Sequence, residues 1–184
     1  MLFRSDRDTL DAAARLVTRV PSLPVSFVYL GGFDAVCHHF WQYRHPEDYG
    51  TSRPADEDVA ALGEVVDRFL EFLDRGLGRL LASYDRPPNL LIVSDHGHGP
   101  VFDHPTFRGW HEPHGMFIAS GPDLPHRSEP ITFGYFDVTP TILDLLGFEP
   151  PADLRGSPLR RTLALDPLTT ARLIPGIDQR TLTR

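Results

Sequence analysis

Apolar and polar positions follow two rhythms along this chain. Within residues 6–20, Leu10, Ala13, Ala14, Leu16 and Val17 recur among Arg and Asp at the spacing of an amphipathic helix that ends before Pro21. Residues 25–30 (VSFVYL) break that rhythm with a continuous β-branched and aromatic run of strand length, the pattern of a strand covered on both faces. The longest periodic stretch is 56–84. There Val59, Leu62, Val66, Phe69, Leu70, Leu73, Leu77, Leu80 and Leu81 form one stripe, which reads as one long helix or as a helix interrupted near Gly76 and Gly78. Residues 90–93 and 116–119 are two further apolar runs of strand length. A last helix is predicted with Thr139 as its cap, Pro140 at the first helical position and Gly147 at its end.

Strands separated by helices predict an α/β fold: a mostly parallel sheet with helices on both faces, in which residues 25–30, 90–93 and 116–119 are neighbouring strands. Residues 1–162 are expected to form one domain. Gly156-Ser-Pro-Leu159 reads as the last docked segment, and residues 163–184 as a loosely packed tail.

Composition narrows the function classes. A formal charge of −7 argues against a nucleic-acid polymer as partner. No apolar run approaches the roughly 18 residues of a membrane span, and residues 1–16 lack a signal-peptide core, so the chain is expected to be cytoplasmic. The single cysteine, Cys37, excludes an internal disulfide and a thiolate-rich zinc knuckle; it reads as a packed thiol. Any metal site must therefore use nitrogen and oxygen donors.

Those donors cluster where strands end. Between the runs at 90–93 and 116–119 lie Asp95 with His96, His98, His104, His111 and His114, on what reads as a loop leaving a strand end, where open α/β sheets carry their chemistry. Ser94-Asp95-His96-Gly97 can also be a plain turn. Upstream, Gly31-Gly32 follows the run at 25–30, and Asp34 and His38 share one face at i, i+4 spacing if a helical turn begins there. His39 and His45 would point elsewhere. Residues 38–54 read as an irregular excursion in which Phe40, Trp41 and Tyr43 either contact a ligand or pack against the scaffold.

Taken in order, Tyr29-Leu-Gly-Gly-Phe-Asp34-Ala-Val-Cys-His38, Ser94-Asp95-His96-Gly97, the stretch from Gly109 to Pro122 and the stretch from Asp137 to Gly147 resemble the alkaline phosphatase superfamily, in particular its type I phosphodiesterase/nucleotide pyrophosphatase branch. The resemblance runs from about Val25 to Leu159. It implies a metal-dependent phosphoesterase acting on small-molecule phosphoesters with two divalent ions, usually zinc. Asp34, His38 and His111 would bind the first ion, while Asp95 and His96 contribute to the second. His111 is preferred over its rival His114 because the family places a Gly two residues before this ligand and another four residues after it, as Gly109 and Gly115 stand here.

The family also has an N-terminal strand with an Asp for the second ion, followed by a Thr or Ser nucleophile. Only 24 residues precede Val25, and Ser5, Thr9 and Thr18 fall in the first predicted helix. The resemblance thus implies the C-terminal part of such an enzyme, N-terminally incomplete, with a partial second site, no catalytic residue of its own and turnover at or near background. The alternative is a noncatalytic metal-binding or scaffold relative that lost the nucleophile.

Overall fold

The computed structural model describes residues 2–124 and 130–162. The expected tail at 163–184 lies outside the described residues. The chain divides into two compact units, one made of residues 1–88 and 92–116, the other of residues 89–91 and 117–184.

The first unit is built on helices. Helix α1 (Leu2–Arg19) spans the predicted amphipathic segment. Helix α2 (Gly32–Arg44) carries Asp34 and His38 on successive turns, and a 3-10 segment follows at Pro46–Ser52. The long periodic stretch is two helices, α3 (Asp56–Leu62) and α4 (Val65–Leu81).

The break falls at Gly63, where a side chain would meet the carbonyl oxygens of Val59 at 2.7 Å and Tyr43 at 3.1 Å. Gly76, expected as a possible interruption, sits buried inside α4 instead. A Cβ there would lie 2.5 Å from Leu10 Cδ1, so this glycine permits the close crossing of α4 over α1 rather than ending the helix.

Two apolar clusters hold these helices. Val36, Cys37, Val66 and Phe69 are buried between α2 and α4, flanked by Phe33, Phe40, Trp41 and Phe72. The aromatics of the 38–54 excursion named above thus supply packing, with Phe40 and Trp41 in this cluster. Leu10, Val17 and Leu80 form the second cluster, with Val28 and Leu30 against it.

The sheet departs from expectation. Strand β1 (Leu90–Val93) pairs with β4 (Phe117–Ser120), and β2 (Gly97–Pro100) pairs with β3 (Gly109–Glu112). Both sheets are small and antiparallel, so the predicted mostly parallel sheet is not formed among the described residues. Residues 25–30 join no sheet among the described residues: Val28 and Leu30 pack against the α1–α4 cluster, and Phe27 and Tyr29 are 77% and 85% exposed. The physical reason is that β propensity describes fit to a pleated, half-buried surface, and this run has no ladder partner beside it. What stands is the mixed helix and strand content.

In the second unit, α5 (Tyr135–Leu145) begins four residues before the predicted cap at Thr139. Asp137 sets that start by accepting the Gly134 N–H at 2.8 Å, and Pro140 lies inside the helix. The end is as expected. Gly147 takes φ +82°, and the Phe148 and Gly147 N–H groups donate to the Leu143 and Asp144 carbonyls, a Schellman closure. The short helix α6 (Leu159–Thr162) docks through Leu159, whose N–H donates to Thr141 Oγ1 at 2.8 Å. No helix among the described residues is long and apolar enough to cross a membrane.

Candidate metal centre

Helix α2 and the β2–β3 hairpin, both in the first unit, meet along a face too close for ordinary side chains. A Cβ on Gly109 would collide with the Cys37 carbonyl and with Trp41 Cβ on α2, so only glycine lets β3 lie against the helix there. That contact aligns two donors. The Gly109 carbonyl accepts a hydrogen bond from His38 Nδ1 at 2.8 Å. A carbonyl can only accept, so the His38 proton is on Nδ1 and Nε2 presents its lone pair to the site. The same logic applies to His96, whose Nδ1 donates to the Gly97 carbonyl at 2.9 Å.

The hairpin register sets His98 opposite His111. As a result, four imidazoles surround one oxygen. Asp34 Oδ1 lies 3.3 Å from Nε2 of His98, 3.4 Å from that of His38, 3.5 Å from that of His111 and 3.6 Å from that of His96. His38 and His111 meet Nε2 to Nε2 at 3.2 Å. One ligand atom from each of Asp34, His38, His98 and His111 falls within 4.8 Å of all the others.

These spacings match the chemistry of a bound cation. Donors about 2.0–2.1 Å from a tetrahedral zinc ion lie roughly 3.3–3.4 Å from each other, the edge of the tetrahedron. Two of the inward atoms, Asp34 Oδ1 and His98 Nε2, are buried without a hydrogen-bond partner. An orphaned carboxylate oxygen facing an orphaned imidazole nitrogen is costly, and a shared cation satisfies both. His98 is the most enclosed of the group, its side chain 6% exposed. Burial pushes its pKa down to about 4, against the opposing pull of Asp34, so the ring is neutral and competent to ligate near neutral pH.

The structure brings Asp34, His38 and His111 together and sets His96 beside them, its ring stacked on that of His111 at 3.8 Å between centroids. Asp95 stands at the edge, 86% exposed, with Oδ1 3.7 Å from His96 Nε2. His114 is outside the group, and its backbone carbonyl lies against Gly97. His104 serves the loop, its Nδ1 accepting the N–H groups of Thr106 and Phe107. Cys37 takes no part: it is fully buried, and burial with the nearby Asp34 charge pushes the thiol up to about 12.

His98 is the residue that the ligand assignment from sequence passes over. A signal existed in the i, i+2 spacing of His96 and His98, which puts both on one face of any extended segment. Gly115 has a structural role here too. A Cβ at that position would collide with the Ser94 carbonyl, and Ser94 N–H donates to the Met116 carbonyl at 2.8 Å.

The model of the family "Type I phosphodiesterase / nucleotide pyrophosphatase" matches residues 5–131, well over half of the chain. Among curated proteins, the chain is 33% identical over 103 residues to a 2,3-bisphosphoglycerate-independent phosphoglycerate mutase of Chloroflexus aggregans (strain MD-66 / DSM 9485), covering 52% of this chain and 19% of that protein. A mutase of the same description from Roseobacter denitrificans (strain ATCC 33942 / OCh 114) is 33% identical over 93 residues, 47% of this chain and 18% of its own length. One from Parasynechococcus marenigrum (strain WH8102) is 27% identical over 145 residues, 72% and 25%. The chain thus spans a quarter or less of these relatives. No solved structure matches the chain.

Proposed function

Because the chain belongs to the type I phosphodiesterase / nucleotide pyrophosphatase family, we propose that it carries the metal-binding part of a site for small-molecule phosphoesters. Asp34, His38 and His111 hold a first divalent ion, for which zinc suits the imidazole and carboxylate donors, while Asp95 and His96 contribute to a second. The observation that carries this reading is the convergence of histidine Nε2 atoms on Asp34 Oδ1 at 3.3–3.6 Å. An ion at a position left open by the protein donors would supply Lewis-acid polarisation of a phosphoryl oxygen. The residues of the chain position that ion: the Gly109 carbonyl fixes the His38 tautomer, and α2 presents Asp34 and His38 together.

We count a phosphoglycerate, after the relatives' name, among the candidate substrates beside the phosphodiesters of the family's description. Either chemistry needs an attacking group, and the threonine hydroxyls of α1 are engaged within their own helix. Thr9 Oγ1 donates to the Ser5 carbonyl at 3.0 Å, and Thr18 Oγ1 to that of Ala14 at 2.9 Å. Ser94, beside the site, donates its hydroxyl to the His96 carbonyl at 2.6 Å. The reading is therefore a metal centre whose attacking group is not supplied by Thr9, Thr18 or Ser94.

The test is zinc titration of the purified chain and its Asp34→Ala variant, with turnover of a chromogenic phosphodiester measured in parallel. Stoichiometric zinc binding that weakens sharply in the variant, with turnover at background, is expected. Equal binding by both proteins would remove the first site, and robust turnover abolished by Asp34→Ala would show a working nucleophile within the chain.

A further inference from the structure

We propose that His98 is a fourth protein ligand to the first ion, closing its coordination and making that ion a clasp between α2 and the β2–β3 hairpin rather than a landing point for phosphate. The inference rests on the reading above that Asp34, His38 and His111 bind this ion, and it adds a consequence which that reading does not contain. A site with three protein donors keeps a position for water or substrate, whereas a site with four protein donors is the closed arrangement of structural zinc.

Three observations converge on His98. Its Nε2 lies nearest to Asp34 Oδ1 of the four imidazoles, at 3.3 Å, within the tetrahedral edge already set by His38 and His111. Both atoms of that pair are buried and lack any hydrogen-bond partner, although their separation would allow one if they were aligned. A carboxylate oxygen and an imidazole nitrogen 3.3 Å apart with no hydrogen bond between them are spaced as two ligands of one ion are. The third observation is register: β2 places His98 directly across from His111, so the hairpin presents a matched pair of imidazoles to the pair on α2, Asp34 and His38.

Two donors from the helix and two from the hairpin give a cross-link that adds to the Gly109 contact, the Arg108 N–H to His38 carbonyl hydrogen bond and the packing of Trp41 on His98. The second ion position, near His96 and the exposed Asp95, is then where a phosphoryl oxygen can reach metal.

Cobalt(II) replaces zinc in such sites and reports coordination number, because four-coordinate cobalt absorbs strongly in the visible and five- or six-coordinate cobalt weakly. The full chain would be titrated with one equivalent of cobalt(II), then with inorganic phosphate. The expected result is a strong visible band that phosphate leaves unchanged. His98→Ala should retain cobalt with affinity lowered by roughly 10- to 100-fold or more, and its weaker band should shift on adding phosphate.

A wild-type band that shifts with phosphate would overturn the closed site without any recourse to a variant, as would a His98→Ala protein matching wild type in affinity and spectrum. If Asp34→Ala binds cobalt as well as wild type, the first-site reading itself has failed. The two failures are thereby told apart.

Discussion

Gly32→Ala tests whether the start of α2 is as tightly built as the packing around it implies. Gly32 is the first residue of α2, where helix propensity alone would favour alanine by up to about 1 kcal/mol. The surroundings reverse that sign. A Cβ would stand 2.5 Å from Asp6 Oδ2 and 2.7 Å from Phe69 Cζ, and both of those residues are buried, so neither has room to retreat. Overpacking of this kind costs about 1–3 kcal/mol.

Displacing the Asp6 carboxylate would also break its hydrogen bonds from the Gly32 N–H, at 3.0 and 3.3 Å, worth a further 1.5–3 kcal/mol or so for a charged acceptor. Offsetting the propensity gain leaves a net loss of about 2–4 kcal/mol. Urea unfolding of the metal-stripped protein would read this as a lower midpoint at constant slope. Coupling with Asp6→Ala, which removes one of the two colliding groups, should recover at least about 1 kcal/mol in a double-mutant cycle. A Gly32→Ala protein within about 0.5 kcal/mol of wild type, or more stable, would refute the argument that Asp6 and Phe69 wall in this position.

Three further outcomes are expected. For metal-stripped protein, His98 takes up a proton near pH 6.5 when unfolded but only at about 4 when folded, so stability is full above roughly pH 6.5 and falls by about 3 kcal/mol as pH drops toward 4; urea midpoints across that window should flatten in His98→Ala. Gly109→Ala should destabilise the fold and weaken zinc binding together, since its side chain would push against the Cys37 backbone; calorimetric zinc affinity equal to wild type would contradict this. Cys37 should resist thiol reagents in the folded protein, being buried with its thiol raised to about 12, and react only in step with urea unfolding; prompt labelling without denaturant would show the cluster around it to be open.

What could be read from sequence was what short-range physics decides. The α1 segment, the Leu90–Val93 run and the Gly147 helix end are local statements about periodicity and φ, and each appears in the structure at or near its predicted place. Asp34 and His38 share a face because i, i+4 spacing on a helix requires it. The β2–β3 hairpin was not legible: Gly97-His98-Gly99-Pro100 has poor β propensity and no apolar alternation. Its ladder depends on close approach to α2, which a distant residue, Gly109, permits.

With the hairpin unread, the pairing of His98 with His111 was unread too. Residues 25–30 failed in the opposite direction, since a strong strand signal names a candidate strand but not its neighbour. Gly63 and Gly76 show the same division. Both are glycines in a helical stripe, and only the packing partners, Tyr43 and Leu10, distinguish the one that breaks the helix from the one that lets two helices cross.

The extended run at 25–30 also bears on how the protein behaves in a tube. Its outward side shows Phe27 and Tyr29 to water, and its backbone joins no sheet among the described residues. An edge of that kind is a template on which another chain can add. Pro21 and Pro24 stand at one end and Gly31-Gly32 at the other, so the sticky length is confined to about one short strand, and proline is one of the residues that limits how far such an edge can spread. Shelf life at high concentration should therefore be sensitive to this six-residue margin as well as to the unfolding free energy. A charged residue in place of Phe27 should lengthen it while leaving the melting temperature where it was.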